Sequence, residues 1–106
     1  MAYKVLGQSN PNATTATTLY TVPGGKSTIS STITVCNQAG TAGSYRIAVR
    51  PAGEALAAKH YIAYDTGLAG NSTDLFTIGI TLEATDVVTI YASSTNFSFN
   101  MFGDES

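Results

Sequence analysis

The stretch Thr28-Ile29-Ser30-Ser31-Thr32-Ile33-Thr34-Val35-Cys36-Asn37 carries the clearest secondary-structure signal in the chain. Its apolar side chains at Ile29, Ile33 and Val35 alternate with hydroxyl-bearing residues. A period of two predicts a β-strand with one face in a core and the other face towards solvent or a partner. That second face is expected to hold Thr28, Ser30, Thr32 and Thr34.

Similar alternation on both sides of this stretch predicts further short strands. Turn signals such as Pro23-Gly24-Gly25 separate them at roughly the 8–12-residue spacing of a sandwich or barrel. One stretch, 54–59, has a helix-forming composition, and its length allows only a short helical connector. The strands are predicted at 2–8, 19–22, 28–37, 45–50, 60–66, 76–80, 87–92 and 97–102.

The fold class that follows is all-β, with about eight short antiparallel strands in a β-sandwich of jelly-roll or immunoglobulin-like type. No linker or internal repeat divides the chain, so residues 1–106 are predicted to form a single β-sandwich domain. Alternation in 60–66 places Ile62 and Tyr64 on the face opposite to Tyr61. It also places the three large apolar residues of 76–80 on one face of an unbroken strand.

The low charge of the chain excludes several classes of function. Charged residues make up 11% of the sequence, against about 25% in ordinary globular proteins. The hydrophobic share of 43% is ordinary, which argues against disorder. The net charge is −2 and the basic residues are scattered, whereas nucleic-acid binders carry a basic stripe. Direct binding to nucleic acid is therefore not expected.

Targeting and redox signals are sparse. The single cysteine, Cys36, has no second cysteine to pair with, so no disulfide framework is predicted. The N-terminus lacks the apolar stretch of a signal peptide, and no apolar run approaches the roughly 20 residues that span a bilayer. We expect synthesis in a cytoplasm and no membrane partner.

No constellation of catalytic residues is visible in the sequence. His60 is the one histidine, so a His-rich metal site is excluded, and it is interpreted as a strand-edge residue. Cys36 has no neighbouring base to lower its pKa and is interpreted as a small buried or interface residue. The Asp104-Glu105 pair is interpreted as an exposed acidic tail. The sequence therefore predicts no enzyme activity, no cofactor and no metal site.

Two features indicate binding instead. Arg46 and Arg50 are predicted on an outward strand face, where they and Tyr61 or Tyr91 would form an arginine and tyrosine surface of the kind enriched at interfaces. The alternative is that these arginines only solvate the strand and oppose aggregation. The first strand is expected to be exposed and able to extend a neighbouring sheet. The candidate contact residues are Tyr3, Lys4, Arg46, Arg50, Tyr61 and Tyr91.

Several stretches resemble the small virion proteins of tailed bacteriophages, especially those that infect cyanobacteria. The first is the opening Met-Ala-Tyr-Lys-Val-Leu-Gly-Gln-Ser-Asn-Pro, with Leu-Tyr-Thr-Val-Pro at 19–23. The second is Tyr-Arg-Ile-Ala-Val-Arg-Pro-Ala-Gly at 45–53, which runs on to His-Tyr-Ile-Ala-Tyr-Asp at 60–65. Leu82-x-x-x-Asp86-Val87-Val88, followed by 97–103, is similar to the last strand pair of many phage β-sandwich modules.

The resemblance implies a class and a setting, and it carries no active-site residues. It implies a capsid cement (decoration) protein on the outer surface of the virion, which binds the major capsid protein and itself as a homodimer or homotrimer. An alternative within the same class is a tail, baseplate or fibre component for attachment, for which Tyr61, Tyr64 and Tyr91 offer aromatic side chains to a glycan.

Overall fold

The computed structural model describes residues 3–106, and it is almost entirely β-structure. The first two residues, including the predicted strand start at Ala2, lie outside the described part. Two short 3₁₀ turns, Pro51–Gly53 and Ala58–His60, take the place of the predicted helical connector. The strands are β1 (Tyr3–Ser9), β2 (Thr17–Thr21), β3 (Thr28–Asn37), β4 (Gly43–Arg50), β5 (Tyr61–Leu68), β6 (Ser72–Phe76), β7 (Ile80–Leu82), β8 (Val87–Ala92) and β9 (Phe97–Glu105).

The strands form two antiparallel sheets. The first sheet has the order β1-β9-β3-β6, with β7 also paired to β3, and the second has the order β2-β8-β4-β5. β6 and β7 lie end to end along β3, since β6 pairs with residues 33–37 of β3 and β7 with residues 28–30. Nine strands therefore fill eight positions, which confirms the predicted β-sandwich.

The pairing pattern also selects between the two topologies that the sequence left open. β1 pairs with β9, β2 with β8, β3 with β6 and β7, and β4 with β5. Strands near the two ends of the chain pair with each other, and strands nearer its middle pair with each other in turn. The chain is therefore one long hairpin that is rolled into two sheets. This is the arrangement of a jelly roll.

The core lies between the sheets and is filled mainly by the central strands. Tyr45, Phe97 and Phe99 are fully buried there, and their rings pack edge-on or tilted with centroids about 6 Å apart. The hydroxyl of Tyr45 donates to Asp74 Oδ2 at 2.7 Å, which gives this buried polar group a partner. Burial and the neighbouring Asp74 raise the pKa of Tyr45 well above its ordinary value. Alternation predicted these inward faces of β4 and β9 correctly.

The face assignment in β3 is correct only beyond Ser31. The pairing of β3 with β9 shifts register between Ser30 and Thr32, which marks a bulge. Before the bulge Thr28 and Ser30 are buried and Ile29 is exposed, the reverse of the prediction. After it, Ile33 points into the core as predicted. One extra residue is enough to exchange the faces of a strand.

A polar network lies beside the part of β3 that precedes this bulge. The Tyr20 hydroxyl lies 2.7 Å from Thr28 Oγ1 and donates to Glu105 Oε2 at 2.6 Å. Glu105 also accepts from Lys4 Nζ at 2.8 Å, and the hydrogen bonds from Lys4 and Tyr20 lower the pKa of its carboxyl. The predicted exposed acidic tail is therefore wrong for Glu105, which belongs to β9 and joins both sheets.

The predicted strand over 76–80 is interrupted. β6 ends at Phe76 and β7 begins at Ile80, with Gly79 at a positive φ of 66° between them. Phe76 and Ile80 pack against the core, but Ile78 is exposed. The change of direction at Gly79, which a residue without Cβ tolerates, separates Ile78 from the face of its neighbours.

Candidate functional site

The side chains best suited to acid–base chemistry, His60 and Asp86, are engaged in structural hydrogen bonds. His60 is buried, where its Nδ1 accepts from Ala57 N at 3.0 Å and its Nε2 lies 3.2 Å from Glu54 Oε1. Asp86 accepts from the backbone amides of Ala52 at 2.8 Å and Glu83 at 2.9 Å. Both side chains hold loops in place. His60 is therefore buried at the end of the 51–60 connection, and not exposed at a strand edge.

Other signs of a reactive site were sought in the described residues. No group of three or more metal-ligating side chains occurs within 3–106. No helix among these residues has the length and apolar character needed to cross a membrane. Cys36 lies in β3 on the same side as Thr34 and is partly exposed.

Arg46 is the centre of a side-chain cluster on the outer face of the second sheet. It lies in β4, a central strand, directly opposite Tyr91 of β8. On its other side, Tyr45 pairs with Thr66 and Ile47 with Ala63, so two residues of β5, Tyr64 and Asp65, face the single residue Arg46. This two-to-one pairing is a β-bulge, and Asp65 has the positive φ of 46° that goes with its tight backbone.

The guanidinium of Arg46 lies between two tyrosine rings. Its Cζ is 4.2 Å from the ring centroid of Tyr64 and 4.2 Å from that of Tyr91. A planar cation so close to aromatic faces is attracted by the ring quadrupole. Because the two rings come from strands on either side of Arg46, the stack joins three neighbouring strands of the sheet.

The same guanidinium forms a two-point ion pair with the bulge. Arg46 Nε donates to Asp65 Oδ1 at 2.6 Å, and Arg46 Nη2 donates to Asp65 Oδ2 at 3.2 Å. These hydrogen bonds lower the pKa of the Asp65 carboxyl and raise the pKa of Arg46. Both groups stay charged at neutral pH, and their charges cancel.

Tyr61 extends the cluster along the edge strand β5. It pairs with Ala48, whereas Ala63 pairs with Ile47, so the register slips by one residue at Ile62. This slip turns Tyr61 to the outer face, where its ring meets that of Tyr64 edge-to-face with centroids 4.9 Å apart. The prediction that Tyr61 and Tyr64 lie on opposite faces is therefore wrong, because alternation cannot anticipate a bulge.

A groove opens beside these two rings. It has a volume of about 580 Å³ and is lined by Leu56, Ala57, Ala58, Tyr61 and Tyr64. Its far wall is the 51–60 connection, which is held by the contacts of His60. We call this set of five residues the tyrosine groove. Its lining is apolar apart from the tyrosine hydroxyls and the backbone.

The charges on the 51–60 connection are also paired. Glu54 Oε1 lies 3.4 Å from Lys59 Nζ and 3.2 Å from His60 Nε2. The hydrogen bond from His60, together with the charge of Lys59, lowers the pKa of the Glu54 carboxyl. The ion pairs Arg46–Asp65 and Lys59–Glu54 thus pair the carboxylates of Asp65 and Glu54 beside the tyrosine groove with cations.

The six sequence-predicted contact residues fall into three places. Arg46, Tyr61 and Tyr91 lie together in the cluster just described. Arg50 lies apart, where it donates to the carbonyls of Gly53 and Glu54 and to Thr89 Oγ1 and so anchors the 51–60 connection. Tyr3 and Lys4 lie on β1, an edge strand of the other sheet.

The cluster also contains residues that the sequence analysis did not group with Arg46. Tyr64 and Asp65 were assigned to opposite faces, and Leu56 was assigned to a helical connector. The two-residue bulge brings Tyr64 and Asp65 to the same arginine. The adjacency of an aromatic residue and a charged residue, Tyr64 and Asp65, was the only available signal of this arrangement. The position of a bulge cannot be read from periodicity.

The outer face of the first sheet has a different character. Four large apolar residues are well exposed on it: Tyr3 (77%), Val5 (49%), Ile29 (53%) and Leu75 (66%). Tyr3 and Ile29 both lie opposite Asp104 of β9, and Leu75 lies opposite Thr34. We call Tyr3, Val5, Ile29 and Leu75 the apolar face. Asp104 therefore lies between Tyr3 and Ile29, and hydroxyl and amide side chains such as Thr34 and Asn100 lie further along the same face.

Comparison with known proteins gives no family model, no curated protein and no solved structure that matches this chain.

Proposed function

We propose that this chain is a non-enzymatic structural protein of a bacteriophage virion, a capsid cement protein that binds the outer surface of the major capsid protein shell and stabilises it. The observation that carries the proposal is the apolar face, on which four exposed apolar residues stand among mostly uncharged polar ones, with Asp104 as the one charged residue between Tyr3 and Ile29. The setting comes from the likeness of the sequence to phage virion proteins.

The composition of the apolar face suits a protein partner. The cores of protein interfaces are depleted in charge and enriched in aromatic and apolar side chains. Soluble monomers expose single apolar residues, but a contiguous apolar surface marks an interaction site. Tyr3 and Ile29 flank Asp104 on neighbouring strands, and Leu75 lies further along the sheet opposite Thr34, so a partner that spans the four strands would cover all three.

The strand β1 offers a second mode of contact. It is an edge of the first sheet, and its other side pairs with β9. An edge strand presents unpaired backbone groups to which another chain can add. Self-association into a homodimer or homotrimer through this edge would let one cement unit contact several capsid subunits.

A scaffold of this kind is better suited to stabilising an assembly than to catalysis. Several ionisable groups are held in structural contacts between the sheets, such as Tyr45 with Asp74 and Glu105 with Tyr20. A jelly roll whose two sheets are joined by such contacts is a rigid unit. Such a unit stabilises a shell by binding it, because anything that binds only the assembled state shifts the equilibrium towards that state.

Binding to empty shells assembled from the major capsid protein tests this proposal. The chain should co-sediment with shells and raise their disruption temperature. Ile29→Lys places a charge on the apolar face and should abolish co-sedimentation, whereas Ile62→Lys, at an exposed position of the second sheet, should bind like the original chain. Equal binding by both variants would contradict the assignment of this face to the capsid.

A second candidate is a tail, baseplate or fibre component that takes part in attachment. The tyrosine groove favours it, since exposed tyrosines beside a concave surface are suited to a receptor. The two candidates differ in where the chain resides in the particle, so localisation separates them.

A further inference from the structure

We propose that the tyrosine groove is a binding site for a neutral glycan, with a sugar ring lying against Tyr61 and Tyr64. This inference goes beyond the cement function, and it holds wherever the chain resides in the virion. It rests on the size of the groove, the order of its aromatic rings, the balance of charge around it and the hydroxyl groups at its rim.

The volume of the groove suits a small ligand. About 580 Å³ falls within the range of about 300–1,000 Å³ that small-molecule sites occupy. Its lining combines two aromatic rings with the small side chains of Ala57 and Ala58, which leave room above the rings. A ring-shaped ligand with one apolar face can lie against one of these rings and beside the other.

The aromatic rings are held in position before any ligand arrives. Tyr64 is fixed by the guanidinium of Arg46, which in turn is fixed by Asp65 and by Tyr91. Tyr61 is held by its edge-to-face contact with Tyr64. A ligand therefore meets ordered side chains, and binding costs little conformational entropy.

The charge balance around the groove points to an uncharged ligand. Arg46 is paired with Asp65, and Glu54 with Lys59. An anionic or cationic ligand would have to compete with these pairs for its counter-charge. A neutral sugar makes no such demand, and its apolar C–H face can rest on an aromatic ring while its hydroxyls point outwards.

The groove also provides polar groups for those hydroxyls. Within 3–106, the hydroxyls of Tyr61 and Tyr64, which line the groove, make no hydrogen bond to another side chain or to the backbone. In contrast, the hydroxyls of Tyr20 and Tyr45 are committed to carboxylates. The two tyrosines of the groove thus retain their full donor and acceptor capacity for a ligand.

The geometry favours a sugar over an extended peptide. Proline-rich peptides dock into channels between aromatic side chains. Tyr61 and Tyr64 instead stand at 81° to each other and form a single corner. A corner formed by one ring face and one ring edge can enclose a compact sugar ring, but it provides no channel along which an extended peptide could lie.

The site is compatible with capsid binding because it lies on the other sheet. The tyrosine groove belongs to β5 and the 51–60 connection, whereas the apolar face belongs to β1, β3 and β6. The outer faces of a sandwich point in opposite directions. A chain bound to a shell through the apolar face would display the groove outwards.

A printed panel of neutral oligosaccharides, with sialylated and sulfated glycans as charged controls and a proline-rich peptide as a further control, tests the proposal on the full chain. Multivalent display compensates for weak single-site affinity. At least one neutral glycan should bind, and Tyr64→Ala should weaken that binding by about tenfold or more. Tyr3→Ala makes the same chemical change on the opposite sheet and should bind like the original chain.

Titration of the best neutral glycan by NMR supplies a second readout. The ring signals of Tyr61 and Tyr64 should shift, while those of Tyr3 should not. Four results would each overturn the proposal: no neutral glycan bound, binding only to charged glycans, binding of the peptide alone, or unchanged binding by a folded Tyr64→Ala variant. None of these results bears on co-sedimentation with capsid shells, so the two proposals fail independently.

Discussion

Tyr61 and Tyr64 pack edge-to-face with ring centroids 4.9 Å apart, although they are three positions apart in the sequence and strict alternation would place them on opposite faces. The register slip at Ile62 accounts for this contact. A second irregularity then sets Tyr64 and Asp65 together against Arg46. The candidate site is therefore a product of two bulges in one edge strand, which fits the known concentration of bulges near functional sites.

The bulge in β3 makes a sharp prediction about two isoleucines. Ile29 is 53% exposed, whereas Ile33 is fully buried. Ile33→Ala should lower the free energy of unfolding by about 2–5 kcal/mol, because it leaves a cavity in the core. Ile29→Ala should cost less than about 1 kcal/mol, since its side chain faces solvent. Urea unfolding measures both, and equal losses would mean that the two residues share a face.

Gly103 marks the point where β9 crosses the β3 bulge. A Cβ at this position would overlap the carbonyl oxygen of Ile29 and lie 2.8 Å from the Cα of Ser30. Gly103→Ala should therefore force the two strands apart and lower the melting temperature strongly. Gly67→Ala is the control, since nothing lies within 4 Å of the Cβ it would add. Similar melting temperatures for both variants would argue against the close approach.

Tyr45 and Asp74 predict the behaviour of the fold at high pH. The pKa of Tyr45 is raised in the folded protein above its ordinary value of 10.0, so its neutral form is favoured by folding. The corresponding stability is fully present below pH 10 and is lost as the pH rises above it, because the unfolded chain then ionises first.

Tyr45→Phe tests this coupling. It should cost about 1–3 kcal/mol at neutral pH, because Asp74 loses a buried hydrogen-bond donor. It should also make the loss of stability above pH 10 less steep. Urea unfolding at a series of pH values measures both effects. An alkaline profile as steep as that of the original chain would show that another group is responsible.

Arg46 predicts the titration of Asp65. In the folded protein, hydrogen bonds from Arg46 hold the pKa of the Asp65 carboxyl below its ordinary value of 3.8. The stability that this provides is present above pH 3.8 and is lost as the pH falls further. In Arg46→Ala the carboxyl should titrate nearer to 3.8, as followed by NMR of the side-chain carbon.

Arg50→Ala is the matched control for that titration. Arg50 donates to backbone carbonyls and to Thr89, and it makes no contact with Asp65 in the described structure. Its loss should leave the Asp65 titration as it was and loosen the 51–60 connection instead. A shift of Asp65 in the Arg50 variant alone would contradict the assignment of the ion pair.

The sequence predicts the sandwich well because alternation is a direct consequence of packing two faces. The inward face of β9 follows from the period of two alone. The faces of 28–30 and the partnership of Tyr61 with Tyr64 do not follow, since each depends on a bulge. A bulge is fixed by the fit of two strands that are distant in sequence, and a single strand's pattern carries no record of that fit.

The candidate site was predictable to the same extent. Arg46 and Tyr91 were expected to share an outward surface because they occupy regular positions in β4 and β8. Arg50 was expected there too, but the 51–60 connection folds over it and takes up its donors. An outward-facing residue that is covered by another segment in this way becomes half-buried. Alternation alone cannot distinguish such a covered residue from one that is open to solvent.

A cryo-EM reconstruction of the phage particle tests the cement function most directly. The account predicts symmetric copies of this jelly roll on the outside of the head shell, with Tyr3, Ile29 and Leu75 against the major capsid protein and the tyrosine groove facing outwards. Copies confined to the tail or its fibres, or none in the particle at all, would contradict it.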